Sequence, residues 1–203
     1  MTSAGEEIEV KFHVLHLSEL PQRVLGLGGQ LLTARVHELN LRFDTTDRLL
    51  SRQGKALRLR RDALTTITYK GRGEVRDGIR IRPEHELAVG NFDNARRLLE
   101  GLGFQVSFTY EKYRATYTLD DSRIMLDELP YGDFVEIEGE PEALRETAAR
   151  LDLRWEAAIP HSYLGLFENV RKSLDLLFED LTFDNFRGLR VGAEALGVMP
   201  ADA

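Results

Sequence analysis

Apolar and charged residues alternate along much of this chain with a period of two, which is the spacing of side chains on a β-strand. In residues 6–13, Ile8, Val10 and Phe12 share one face, and the other face carries only acidic and basic side chains. The alternation recurs in seven further segments bounded by turn residues: 37–45, 55–61, 65–71, 78–89, 105–121, 122–129 and 132–140. The chain is therefore predicted to be rich in antiparallel β-structure.

The polar faces of these predicted strands are unusual, because they carry charges where serine, threonine or glutamine would be ordinary. A single charged face is most simply explained as a solvated surface. About eight such faces in one small chain are better explained if the strands close into a barrel, which directs one set of faces inward. We therefore predict an α+β fold, in which an eight-stranded antiparallel β-barrel holds the charges and helices pack on its outside.

Apolar residues at helical spacing predict four helices, over 17–29, 91–104, 141–153 and 162–181. At the start of the last helix, Ser162 is expected to act as the N-cap, and Tyr163 is expected to pack the helix against the rest of the protein. The length of this amphipathic helix suggests a homodimer as one interpretation. No shift in composition marks a domain boundary, so the chain is expected to form one domain over residues 1–203.

The composition excludes several classes of protein. With 27 Lys+Arg against 34 Asp+Glu and a net charge of −7, the chain lacks the basic balance of a general nucleic-acid-binding protein. No segment approaches the roughly 20 apolar residues of a membrane helix, and the start of the chain lacks the pattern of a secretory signal. The absence of cysteine excludes disulfides and thiolate zinc sites. We expect a cytoplasmic protein with no nucleic-acid or membrane partner.

A lumen that mixes acidic and basic side chains requires ligands of matching chemistry, because unpaired buried charges are costly. Carboxylates suit hard cations such as Mg²⁺ or Mn²⁺, and guanidinium and ammonium groups suit a polyanion. A polyphosphate bound together with a divalent metal satisfies both requirements.

Several motifs occur in the order found in one known family. The run Glu7-Ile8-Glu9-Val10-Lys11 matches an ExExK signature. Further matches follow along the chain: FDT at 43–45, GKALRLR at 54–60, TYKG at 68–71, Glu84 and Glu86, KYR at 112–114, Asp127, GDFVEIE at 132–138, and Ser162-Tyr163. Over about residues 6–165 the chain thus resembles the CYTH superfamily, also called triphosphate tunnel metalloenzymes. The motifs resemble its class IV adenylate cyclase branch and its thiamine-triphosphatase branch equally. Residues 166–203 are left as a C-terminal helical extension.

The resemblance implies a tunnel, open at both ends, that binds a triphosphate-containing small molecule lengthwise with Mg²⁺ or Mn²⁺. The residues matched to metal ligands are Glu7, Glu9, Glu136 and Glu138, with Asp127 as a further candidate. The residues matched to phosphate ligands are Lys11, Arg58, Arg60, Lys70, Lys112 and Arg114, which with Glu7 and Glu9 form the expected catalytic set. The strand that feeds the tunnel in relatives also contains Arg80, Arg82, Glu84 and Glu86, although Pro83 within it can break the alternation.

The implied activity is metal-dependent processing of a triphosphate. Hydrolysis of inorganic triphosphate or of a small organic triphosphate is favoured, because removal of a terminal phosphate requires only positioning and charge neutralisation. Two alternatives stay open. One is a class IV adenylate cyclase, which would convert ATP to cyclic AMP and pyrophosphate. The other is a polyphosphate-binding module without catalytic activity.

Overall fold

The computed structural model describes residues 5–203. The strands in this range are β1 (Glu6–Val14), β2 (Gln30–Asp44), β3 (Ala56–Arg61), β4 (Thr65–Lys70), β5 (Glu74–Arg76), β6 (Ile79–Val89), β7 (Gln105–Leu119), β8 (Ser122–Leu129) and β9 (Gly132–Glu138). The α-helices are α1 (Leu20–Gly26), α2 (Leu49–Arg52), α3 (Phe92–Gly101), α4 (Pro141–Arg150), α5 (Tyr163–Leu174) and α6 (Ala193–Leu196). Across these described residues, no helix has the length and apolar character needed to cross a membrane.

Eight of the strands close into an antiparallel barrel. Their order is β1-β9-β8-β7-β2-β3-β4-β6, and β6 pairs again with β1. Strand β1 makes both contacts with different parts of its length, since residues 9–14 pair with β9 and residues 6–9 pair with β6. The predicted eight-stranded barrel with helices on its outside is therefore confirmed. Because side chains alternate along each strand, the closed barrel has an inner face and an outer face.

A short strand that the sequence patterns did not predict, β5, continues the line of β4 along the same edge of β6. Strand β4 pairs with the second half of β6 and β5 with its start, and the register shifts by one residue between them. At this point the N–H of Gly71 donates to the carbonyl of Pro83 at 2.8 Å. The extra residue that causes the register shift therefore lies in the segment between β4 and β5, and not in β6. Arg82 and Glu84, on either side of Pro83, both line the lumen.

Apolar residues fill the space between the outer face of the barrel and the helices. Helices α1 and α4 cover β1, β8 and β9, where Phe12 and Ile137 are fully buried. Helix α3 covers β2 and β3 around Leu59. Helix α5 is placed differently, since it packs at one end of the barrel, where the ring centroid of Phe167 lies 5.8 Å from that of Phe108, a residue of β7 that lines the cavity. Because the apolar faces are used on the outside, the charged faces are left to the lumen.

Two predicted boundaries differ from the structure by more than three residues. Strand β2 begins at Gln30 rather than at 37. The last predicted helix ends at Leu174 rather than at 181, because Asp175 adopts the left-handed backbone conformation with a φ of 51°. Beyond it the chain turns back to β7, where the N–H of Leu181 donates to the carbonyl of Thr109 at 2.9 Å. The C-terminal extension is therefore helical only as far as Leu174 and in the short α6.

Candidate active site in the barrel lumen

The inner faces of the strands line a cavity of about 520 Å³. The predicted metal ligands other than Asp127, the predicted phosphate ligands and the charged residues of β6 all line it: Glu7, Glu9, Lys11, Arg58, Arg60, Lys70, Arg80, Arg82, Glu84, Glu86, Lys112, Arg114, Glu136 and Glu138. Asp127 lies behind this wall and is fully buried. The fold thus brings together charged residues that are far apart in the sequence.

The cations of the lumen are paired with its carboxylates. The Lys70 ammonium lies 2.6 Å from an oxygen of Glu7 and 2.9 Å from one of Glu84. The Lys11 ammonium lies 2.6 Å from an oxygen of Glu136. Each of the six predicted phosphate ligands has a carboxylate oxygen within 4.0 Å. Acidic and basic residues of the lumen therefore offset one another before any ligand binds.

Asp127 lies at the centre of the most buried group of charges. Its Oδ1 accepts a hydrogen bond from Arg114 Nε at 2.6 Å, and its Oδ2 accepts from Lys112 at 3.0 Å and from the Tyr163 hydroxyl at 2.7 Å. Burial opposes the charge on Arg114, but Asp127 and Glu136 outweigh it and raise the pKa of this guanidinium well above its usual value. Both carboxylate oxygens of Asp127 are therefore already occupied by donors from the protein.

Glu38 on β2 belongs to this buried group and was not among the predicted residues. Its side chain is 2% exposed, and one of its oxygens lies 3.6 Å from the Lys112 ammonium. Burial alone would raise the pKa of Glu38, but the positive charges of Lys112 and Arg114 outweigh it and lower the pKa to about 2. Glu38 therefore remains charged, and its negative charge offsets part of the positive charge of Lys112 and Arg114. Its position could have been found from the alternation within 37–45.

Arg42, two positions along the same face of β2 from Asn40, was also missed. It lines the cavity, half-buried, opposite Arg58 on β3. Burial, with the like charges of Arg82 and Arg58, lowers the pKa of the Arg42 guanidinium. Unlike the six predicted phosphate ligands, Arg42 forms no ion pair with any carboxylate in residues 5–203. Asp44 attracts this guanidinium and partly opposes the lowering of its pKa, but does so without forming an ion pair with it.

The acidic residues gather where β1 meets β9. Glu9 and Glu138 are directly opposite each other in the register, and Glu7 shares their face. Burial, together with nearby carboxylates that include Glu7 and Glu9, raises the pKa of Glu138. Oxygen donors of this kind fit a hard divalent cation. In the described part of the chain no three acidic or histidine side chains are already arranged around a metal position. To bind a metal, Glu7 and Glu136 would exchange their present lysine and arginine partners.

Residues 158–164, which we call the floor segment, lie at one end of the lumen, and Ser162, Tyr163 and Leu164 among them line the cavity. The N–H of Ile159 donates to the carbonyl of Lys11 at 2.8 Å, and Arg80 donates to the carbonyl of Pro160. Helix α5 then begins at the expected cap, because the Ser162 side chain accepts a hydrogen bond from a backbone N–H of the first turn at 3.2 Å. The first residues of α5 face the cavity. The tunnel, expected to be open at both ends, thus has this segment lying across one of them.

Comparison with known proteins identifies similar chains. A family model for the CYTH domain matches residues 5–158. A protein from Vibrio parahaemolyticus, proposed to be an adenylate cyclase, has a similar fold with a TM-score of 0.72 at 23% identity, over 79% of this chain and 97% of that one. The PH1012 protein of Pyrococcus horikoshii has a TM-score of 0.66 at 28% identity, over 77% and 96% of the two chains.

A plant protein has a similar fold as well. HpAC1 from Hippeastrum, proposed to be an adenylyl cyclase and described as having a dominant triphosphatase activity, has a TM-score of 0.59 at 20% identity. That match covers 80% of this chain and 95% of the other. Among proteins with curated descriptions, none matches at a significant level. The family match includes all nine strands and ends before α5.

Proposed function

Because the chain belongs to the CYTH domain family, we propose that it is a metal-dependent enzyme that hydrolyses inorganic triphosphate or a small organic triphosphate inside the barrel. The observation that carries this proposal is the cavity of about 520 Å³ in the barrel, which every predicted phosphate ligand lines beside the acidic residues of β1 and β9. An arrangement of this kind suits a small polyanion bound with a cation, because each type of side chain then gains a partner of opposite charge.

In the proposed complex the phosphate groups contact the basic side chains of the lumen: Lys11, Arg58, Arg60, Lys70, Lys112 and Arg114. We add Arg42 to this group, because it lines the same cavity and has no carboxylate to exchange for a phosphate. Arginine forks bind two phosphate oxygens at once, and lysines supply point charges. These residues would hold the polyphosphate in one orientation and offset the negative charge that develops on the leaving oxygens.

The residues proposed to hold a Mg²⁺ or Mn²⁺ ion are Glu7, Glu9, Glu136 and Glu138, all of which line the cavity. When bound, the metal would neutralise phosphate oxygens and so make the phosphorus easier to attack. Asp127 fits this role less well, because its oxygens already accept hydrogen bonds from Lys112, Arg114 and Tyr163. We propose that Asp127 orients those cations.

The direct test incubates the purified protein with inorganic triphosphate, thiamine triphosphate and ATP in the presence of Mg²⁺ or Mn²⁺, and measures phosphate and cyclic AMP separately. Release of phosphate from a triphosphate without cyclic AMP is the expected result. Cyclic AMP and pyrophosphate from ATP would instead identify a class IV adenylate cyclase. Binding of triphosphate without turnover under any of these conditions would identify a non-catalytic polyphosphate-binding module.

The metal assignment is tested with Glu7→Gln. This variant should abolish turnover while triphosphate still binds, because a metal ligand is lost and the basic wall remains. The matched control is Glu74→Gln on β5, since Glu74 is exposed and faces away from the cavity. Wild-type turnover by Glu7→Gln at limiting Mg²⁺ would show that Glu7 does not hold the metal.

A further inference from the structure

Tyr163, the first residue of α5, reaches the charged groups of the lumen. Its hydroxyl donates to Asp127 Oδ2 at 2.7 Å. The Lys11 ammonium lies 4.3 Å from the centroid of its ring, and the Lys112 ammonium lies 5.4 Å from it. Position 163 follows the stretch that matches the family model, residues 5–158. Tyr163, which belongs to the Ser162-Tyr163 motif of the resemblance but lies beyond the stretch matched by the family model, thus contacts two of the predicted phosphate-binding lysines.

The Tyr163 side chain is itself held firmly in place. Its backbone carbonyl accepts a hydrogen bond from the buried Tyr131 hydroxyl at 2.9 Å. Its ring meets the ring of Phe134 edge-on, with centroids 5.2 Å apart. Burial, with the negative charges of Asp127 and Glu136, raises the pKa of Tyr163 well above its usual value, so its hydroxyl keeps its proton. A fixed, protonated hydroxyl is a dependable donor to Asp127.

We propose that Tyr163 is a positioning residue for the two lysines of the lumen. Its hydroxyl shares Asp127 Oδ2 with the Lys112 ammonium, so that this oxygen binds Lys112 less tightly and a phosphate can take its place more easily. Its ring face attracts Lys11 and Lys112 and keeps both ammonium groups at the floor of the cavity. This inference rests on the proposed function, because the lysines have a binding role only if a polyphosphate enters the barrel.

Two substitutions separate the contributions of the hydroxyl and the ring. Tyr163→Phe removes the hydroxyl alone, so that Lys112 and Arg114 are drawn closer to Asp127. Because these cations are then less free to bind a phosphate, the Kd for triphosphate should rise about 10-fold, which is the scale of one hydrogen bond to a charged group. Tyr163→Leu also removes the ring face, and the Kd should rise about 100-fold. Since Phe retains the ring, it should rescue part of the loss seen with Leu.

Tyr117→Phe is the matched control. It makes the same chemical change at a buried tyrosine of β7, but Tyr117 packs with the apolar residues outside the barrel and does not line the cavity. This variant should leave the Kd for triphosphate unchanged. A purely structural role for Tyr163 would make its variants resemble this control.

The experiment is calorimetric titration of the full-length protein with inorganic triphosphate in the presence of EDTA, with urea unfolding used to determine the folded fraction of each variant. The expected order of Kd is wild type, then Tyr163→Phe, then Tyr163→Leu, with Tyr117→Phe equal to wild type. If the leucine variant does not fold, the two phenylalanine variants decide the question. Equal Kd values for wild type and Tyr163→Phe, or equal losses in Tyr163→Phe and Tyr117→Phe, would overturn this inference alone. Absence of triphosphate binding by the wild-type protein would overturn the proposed function and this inference with it.

Discussion

Replacement of Asp127 by asparagine is the most informative single perturbation of the lumen. The substitution keeps the shape of the side chain and removes its charge. Arg114 and Lys112 then each lose a carboxylate partner, at 2.6 and 3.0 Å, in a position where Asp127 is 0% and Lys112 2% exposed. Removing one partner of a buried ion pair commonly costs about 3–5 kcal/mol, because the remaining charge is left uncompensated.

The remaining carboxylates reduce this cost. Arg114 keeps its ion pair with Glu136, and Lys112 keeps Glu38 at 3.6 Å. We therefore expect the lower end of the range, a loss of about 3 kcal/mol in the free energy of unfolding, which corresponds to a fall of about 6–12 °C in Tm for a chain of this size.

The assay is urea unfolding of the metal-free protein, followed by circular dichroism. Asp184→Asn is the control, because Asp184 is 84% exposed and its ion pair is with the exposed Arg187, so its loss should leave the free energy of unfolding unchanged. A role for Asp127 as a metal ligand alone predicts no loss of stability without metal. A loss below about 1 kcal/mol in Asp127→Asn would refute the reasoning that this carboxylate holds the buried cations.

Three further predictions follow from the charges of the barrel. Glu38→Gln should destabilise the protein by about 3 kcal/mol at neutral pH. Because the folded pKa of Glu38 is lowered from 4.5 to about 2, its contribution is lost as the pH falls through that range, and urea titrations at several pH values should show the two proteins converging there. Burial and the charge of Glu128 raise the pKa of Asp133 to about 6, so ionisation of this carboxyl lowers the Tm of the wild-type protein as the pH rises from 4 to 6. Asp133→Asn should abolish this decline in Tm and be more stable than wild type at pH 7. Arg42→Ala should weaken triphosphate binding about 10-fold by calorimetry, whereas Arg61→Ala, on the outer face over the ring of Phe92, should not change it.

The inner face of the barrel could be predicted from the sequence because a period of two determines which side chains share a face. Glu7, Lys11 and Glu136 project into the cavity as the alternation requires. Glu38 and Arg42 obey the same rule within the segment 37–45, and applying it to that strand would have included them.

Other features depend on contacts between distant parts of the chain, and no local pattern reveals them. Apolar spacing continues past Leu174 and predicts more helix, but Asp175 ends the helix and Leu181 is used for pairing with β7. The same holds for Tyr163, whose partner Asp127 lies on β8. Local periodicity can assign a residue to a face, whereas its hydrogen-bond partner is determined only when the chain is folded.

Under the proposed function, the mutual pairing of charges in the barrel would make ligand binding an exchange reaction. A phosphate group that binds Lys70 or Lys11 would take the place of Glu7, Glu84 or Glu136, so the affinity it gains would be the difference between two strong contacts. The displaced carboxylates would then become free to hold a divalent cation. A cation that binds first would, in turn, release the lysines. By thermodynamic reciprocity each ligand would strengthen the binding of the other by the same factor, and the barrel would thereby respond to the two together more than to either alone.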